Sequence, residues 1–134
     1  MYYPRELSRS EVSSSLSSLV FELARRLLGG STDQHQVLQA QLASAQIDRI
    51  TLTGTGLYAY FEVSSKSALV SPLEMIGGEV VIETPDLDVP AGSLIKVREG
   101  KIYLLEIYTF GDKAWPDDPK NISFGFSEPL PVSY

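Results

Sequence analysis

The chain has 134 residues, 43% hydrophobic and 21% charged, with a formal net charge of −6, the composition of one soluble globular domain. It contains no cysteine, which excludes disulfides, thiol catalysis and thiolate metal sites. Its apolar stretches fall well short of the roughly 20 residues a membrane-spanning helix needs.

The first ten residues, MYYPRELSRS, carry no apolar run of the kind a secretory signal requires, so a cytoplasmic location is expected. The charge is unevenly spread. Residues 74–118 hold four basic and ten acidic residues, whereas residues 1–73 hold six of each. Nucleic-acid binders need positive charge to displace counterions from phosphates, and no basic patch is visible, so no nucleic-acid partner and no membrane partner are expected. The acid-rich half could face a basic protein, although solubility is the plainer reading.

In chain order, Val12, Leu16, Leu19, Leu23 and Leu27 follow i, i+4, i+7 spacing and predict one amphipathic helix. Ser8 with Glu11 has capping-box spacing, and Gly29-Gly30 suits a helix stop. Serines 13, 14, 15, 17 and 18 fall between the apolar positions as the helix's small polar face. Ser31 with Gln34 repeats the box ahead of Leu38, Leu42 and Ala45, predicting a second helix.

After Ile47 the period changes to two. Large apolar residues sit at Ile50 and Leu52, then at Leu57, Phe61 and Val63. The change of parity requires a turn or bulge at Gly54-Thr55-Gly56. Residues 64–77 read as a connection and EVVIET as a strand. SLIKVREGKIYLLEIYTF reads as a hairpin turning near Arg98-Glu99-Gly100, and NISFGFS as a last strand. The expected fold is α+β: two N-terminal helices on a mostly antiparallel sheet of about five or six strands. The expected boundaries are helical 8–46, sheet 48–127 and tail 128–134.

Strict alternation along 101–110 would place Ile102, Leu104, Glu106, Tyr108 and Phe110 on one face, and Tyr103, Leu105, Ile107 and Thr109 on the other. Both faces are apolar, which predicts a central strand covered on both sides. The helices can cover one. The tail, the long connection or a second copy would have to cover the other, and a homodimer is one such arrangement.

Few residues carry chemistry. The GTG triplet lacks the third glycine and following helix of a dinucleotide fingerprint. His35 is the only histidine, which excludes a histidine-based metal site, and no G-x-S-x-G elbow surrounds any serine. Asp86-Leu87-Asp88 and Asp117-Asp118-Pro119 read as turns, the former lacking the remaining ligands of a calcium loop. No cofactor or metal is therefore expected.

Glu106 is the most interesting carboxylate, because it falls among apolar neighbours where an unpaired charge is costly. That profile suits a ligand-binding or proton-transfer group, or a structural glutamate held by an arginine or tyrosine. Glu62 has similar surroundings, and pairing of its strand with that of Glu106 could build a two-carboxylate site. Trp115 and Tyr108, with Tyr58, Tyr60 and Tyr103, could line an aromatic groove, although packing at the sheet edge explains them as well. Glu106, Tyr108, Trp115, Glu62, Tyr58 and Tyr60 are thus the candidate binding residues, and no residue is assigned a catalytic role.

Gln41-Leu42, the Thr53–Gly56 turn, Phe61–Val63, Gly92–Leu94, Leu105–Tyr108 and Trp115-Pro116 together resemble a family of small bacterial proteins of unknown function, patterned T-G-x-G, L-E-x-Y and W-P. The resemblance covers about residues 38–116. It implies a single small α+β domain of bacterial origin and brings no established activity. The expected function is a non-enzymatic protein-interaction module, for example of antitoxin or immunity type. The alternative is a small-molecule-binding protein or hydrolase using Glu106 with Glu62.

Overall fold

A strand comes first. The computed structural model describes residues 5–70, 75–77, 80–110, 115–116 and 122–126. In it β1 (Arg5–Ser8) pairs antiparallel with β2 (Gln46–Leu52), on the far side of both helices. The expectation that helices lead the chain is corrected here. RELS is too short and too polar to show alternation, and only its partner strand makes it one.

The Ser8–Glu11 capping box forms, but it closes a single 3₁₀ turn, Arg9–Glu11. The Glu11 carboxylate accepts the Ser8 backbone N–H at 3.0 Å and the Ser8 hydroxyl at 2.7 Å. These two bonds hold the Glu11 carboxyl below its ordinary range. Helix α1 (Ser14–Leu27) begins later, with the Ser13 hydroxyl accepting the Leu16 N–H at 3.1 Å. Leu16, Leu19, Leu23 and Leu27 form the buried stripe, while Ser14, Ser15 and Ser18 face outward. Helix α2 (Asp33–Ser44) is capped by Thr32, one residue beyond the expected Ser31, and the Thr32 hydroxyl accepts the His35 N–H at 3.2 Å.

The remaining strands are β3 (Gly56–Glu62), β4 (Met75–Gly77), β5 (Val80–Glu83), β6 (Gly92–Arg98), β7 (Lys101–Tyr108) and β8 (Ser123–Phe126). Six of the strands make one antiparallel sheet in the order β1-β2-β3-β7-β6-β4, and β5 with β8 makes a separate two-stranded ribbon. The fold is α+β. Strand β4 lies inside the stretch expected to be only a connection. The expected tail, 128–134, lies outside the described residues, as does Asp117-Asp118.

Two turns set the register of the central strands. Between β2 and β3, Gly54 has φ 87° and the Thr53 N–H donates to the Gly56 carbonyl at 3.0 Å, so Leu52 stands opposite Leu57. Between β6 and β7 the two-residue turn Glu99-Gly100 has φ 52° and 78°. Two successive positive values suit the tight turn that matches strand twist.

The core gathers the buried side chains of both helices with Ile47, Ile50, Leu52, Leu57, Ala59, Phe61, Ile95, Leu105 and Ile107 of the sheet. Bulges break the simple alternation twice. On β2, Ile47 opposes Phe61 and Arg49 opposes Tyr60, so Asp48 is the extra residue. On β7, Leu104 opposes Lys96 while Ile102 opposes Val97, which leaves Tyr103 as the extra residue. The expected face Ile102-Leu104-Glu106-Tyr108-Phe110 is therefore divided. Ile102 turns inward to the core, and Leu104, Glu106 and Tyr108 stay on the outer face.

Gln41 joins helix, turn and loop beneath that bulge. Its side chain is 1% exposed. Its Oε1 accepts the Ile102 N–H at 2.9 Å, and its Nε2 donates to the carbonyls of Ala68 at 2.7 Å and Gly100 at 2.9 Å.

Candidate functional site: the outer face of the sheet

The register places five of the six candidate residues on one surface. Tyr58, Tyr60 and Glu62 alternate with the core residues Leu57, Ala59 and Phe61 on β3. On β7, Glu106 stands opposite Tyr58, and Tyr108 opposite Gly56. None of these five belongs to the core cluster, and neither does Leu104, which is 5% exposed and packs on this side.

An aromatic and guanidinium ladder crosses four neighbouring strands. The Arg49 guanidinium lies 4.0 Å from the Tyr60 ring centroid. Tyr60 meets Tyr103 edge to face, with centroids 5.6 Å apart and planes at 72°. The Arg98 guanidinium lies 4.4 Å from the Tyr103 centroid. Cation–π pairs of this kind contribute about 0.5–1 kcal/mol at exposed sites. Tyr58 packs beside Tyr60 at 6.5 Å. Further along, Tyr108 meets Phe110 at 5.2 Å, and Phe110 is 65% exposed. Tyr108 lies across Gly92, where a β-carbon would come within 2.4 Å of its ring.

The titration of Tyr58 is displaced. Its hydroxyl pKa is raised above 10.0, first by the negative charge of Glu106, then by partial burial and by hydrogen bonding to that carboxylate. An ionised phenol here would stand beside an ionised carboxylate.

Glu62 and Glu106 do not come together. Their strands pair, but Glu106 opposes Tyr58 and Glu62 opposes Gln46. Four residues along β3 amount to roughly 13 Å, beyond the carboxylate separations of glycoside hydrolases. Glu62 instead pairs with Arg9, which also reaches the Gln46 Oε1 at 3.0 Å and Asp48 at 3.7 Å.

Trp115 leaves the set altogether. It is 3% exposed, sits in the core cluster, and donates its backbone N–H to the Gly54 carbonyl at 3.0 Å. Its indole Nε1 has no hydrogen-bond partner among the described residues.

Two clefts lined by described residues lie elsewhere, by the helices. One of about 620 Å³ is formed by Phe21, Arg25, Gln39, Leu42, Ala43 and Ala45. A second, of about 420 Å³, shares Phe21 and Ala45 and extends to Arg9 and Gln46. None of the six candidate residues lines either. Among the described residues no group of three or more His, Asp or Glu could hold a metal ion, and no helix is long and apolar enough to cross a membrane.

Sequence reasoning missed Arg49 and Arg98 as members of the ladder. Tyr103 is among the aromatics expected in a groove, but strict alternation puts it on the opposite face, and only the bulge brings it to this one. The two arginines carry no signal until the register places them over the rings. Compared with protein-family models, with curated proteins and with solved structures, the chain matches none.

Proposed function

We propose that this protein is a non-enzymatic protein-interaction module whose docking surface is the outer face of its six-stranded sheet. The observation that supports the reading is the ladder Arg49–Tyr60–Tyr103–Arg98 on the face that does not join the helix-covered core. Tyrosine and arginine dominate the energetics of protein interfaces, because each offers a large contact area with a polar end. The leucines beneath, Leu94 half-buried and Leu104 buried, add an apolar centre among these polar tips.

A photo-crosslinking residue in place of Tyr103 tests this. It should capture one stoichiometric partner, identifiable by mass spectrometry, and the adduct should disappear when Tyr60→Ala is added. The same residue in place of Gln36, exposed on α2, should capture nothing. Equal adducts at both positions, or none at Tyr103, would overturn the reading. An adduct with a second copy of the chain would replace it with self-association.

A further inference from the structure

We propose that the segment docking on this face is acidic, and that Arg98, Lys101 and Lys96 receive its carboxylates. The inference rests on the outer face being the docking surface and names the chemistry of its partner.

Residues 74–118 hold ten acidic residues and only four basic ones, Lys96, Arg98, Lys101 and Lys113. Three of those four meet at the β6–β7 end of the outer face. Arg98 and Lys101 stand directly opposite one another, and Lys96 follows at the next outward position of β6. Like charges opposed across a strand pair are destabilising, and no described carboxylate lies within 4 Å of these three. The contrast with other cations is clear. Arg9, Arg25, Arg26 and Arg49 each have a carboxylate within 4 Å, whereas Arg98, Lys101 and Lys96 have no ion pair among the described residues. A cluster of like charges with no carboxylate of its own within 4 Å among the described residues is suited to an external one.

Geometry selects carboxylate over nucleobase. A guanidinium flat on a ring keeps its N–H edge free for bidentate pairing with a carboxylate. Stacking of bases needs open ring faces, and here Arg49 lies over Tyr60 and Arg98 over Tyr103. The overall charge of −6 also opposes a polyphosphate chain.

The test is fluorescence anisotropy of the full chain with a labelled peptide alternating Glu and Val, its Gln-for-Glu counterpart, and labelled oligothymidylate. The Glu peptide should bind and the Gln peptide should not. Arg98→Glu should weaken binding by about tenfold or more. The same substitution should leave the melting temperature essentially unchanged, because the new ion pair with Lys101 offsets the lost contact with the Tyr103 ring. Lost affinity would then not reflect unfolding. Absent binding of the Glu peptide, or equal binding by Arg98→Glu, overturns the proposal. Tighter binding of oligothymidylate reassigns the face to nucleic acid, and peptide-independent dimerisation lost in Arg98→Glu reassigns it to a second copy. The crosslink at Tyr103 separates the two levels. If Arg98→Glu leaves that adduct intact, the acidic partner is refuted and the docking face stands. If the unmutated face gives no adduct, the docking face itself is refuted.

Discussion

Tyr58 and Glu106 stand directly opposite each other on β3 and β7, and the carboxylate holds the phenol in its protonated form beyond the ordinary pKa of 10.0. In the unfolded chain Tyr58 ionises at its ordinary value, so the unfolded state loses this proton first. The stability that the raised pKa represents is complete below pH 10 and is lost as pH rises through the folded value. Glu106→Gln removes the largest cause. The chain has seven tyrosines, so the Tyr58 titration is read as the difference between each protein and its Tyr58→Phe counterpart. It should move down toward 10.0 in Glu106→Gln, and an unchanged difference curve would refute the coupling.

Gln41 makes three hydrogen bonds from a buried side chain. Gln41→Leu replaces the amide with apolar atoms and orphans the Ile102 N–H beside the β7 bulge. An unsatisfied buried donor costs about 1–3 kcal/mol, and the loss of both Nε2 bonds adds to this. Urea unfolding should show a loss of about 2–4 kcal/mol. A change under about 0.5 kcal/mol, the level of an ordinary surface substitution, would mean that water replaces the amide.

Glu99 holds a left-handed φ of 52° at the first position of the β6–β7 turn. Asparagine adopts that conformation more readily than glutamate. Glu99→Asn should therefore stabilise the protein by about 0.5–1 kcal/mol in the same measurement. Gly100→Ala should act in the opposite sense, since its β-carbon would approach Leu69 Cβ to 2.8 Å and the Val70 carbonyl to 2.9 Å.

Trp115 is the only tryptophan and is buried, which makes it a direct reporter of the core. Its emission should be blue-shifted and resistant to iodide. Because the indole N–H has no partner among the described residues, Trp115→Phe should lose mainly packing. It should be far milder than Trp115→Ala, for which about 3–5 kcal/mol is expected. Equal costs for the two would indicate that the N–H is bonded after all.

Much of the fold is legible in the sequence where side-chain period and turn chemistry agree. The stripe from Leu16 to Leu27, the Gly54 turn and the Glu99-Gly100 turn all lie where the residues place them. The bulges are not legible. Around Tyr103 the run Ile102-Tyr103-Leu104-Leu105 is apolar throughout, so an inserted residue leaves no mark on the pattern. Strand β1 is hidden for a different reason, since four mostly exposed residues carry no periodic signal and depend on a partner some forty positions away. The candidate face was partly readable. Tyr58, Tyr60, Glu62, Glu106 and Tyr108 share it through alternation alone. Arg49, Tyr103 and Arg98 join it only through bulges and register.

Strand β1 has one more effect, on association between molecules. Without it, β2 would end the sheet with an uncovered row of N–H and C=O groups along Gln46–Leu52, a β-branched segment suited to templating further strands. The strand that occupies that row is short and carries Arg5 and Glu6 at exposed positions, features that discourage another chain from adding to the edge. Trimming the protein past Ser8 would thus take Leu7 from its packing against the core and convert a closed border into an adhesive one, favouring aggregates built strand upon strand.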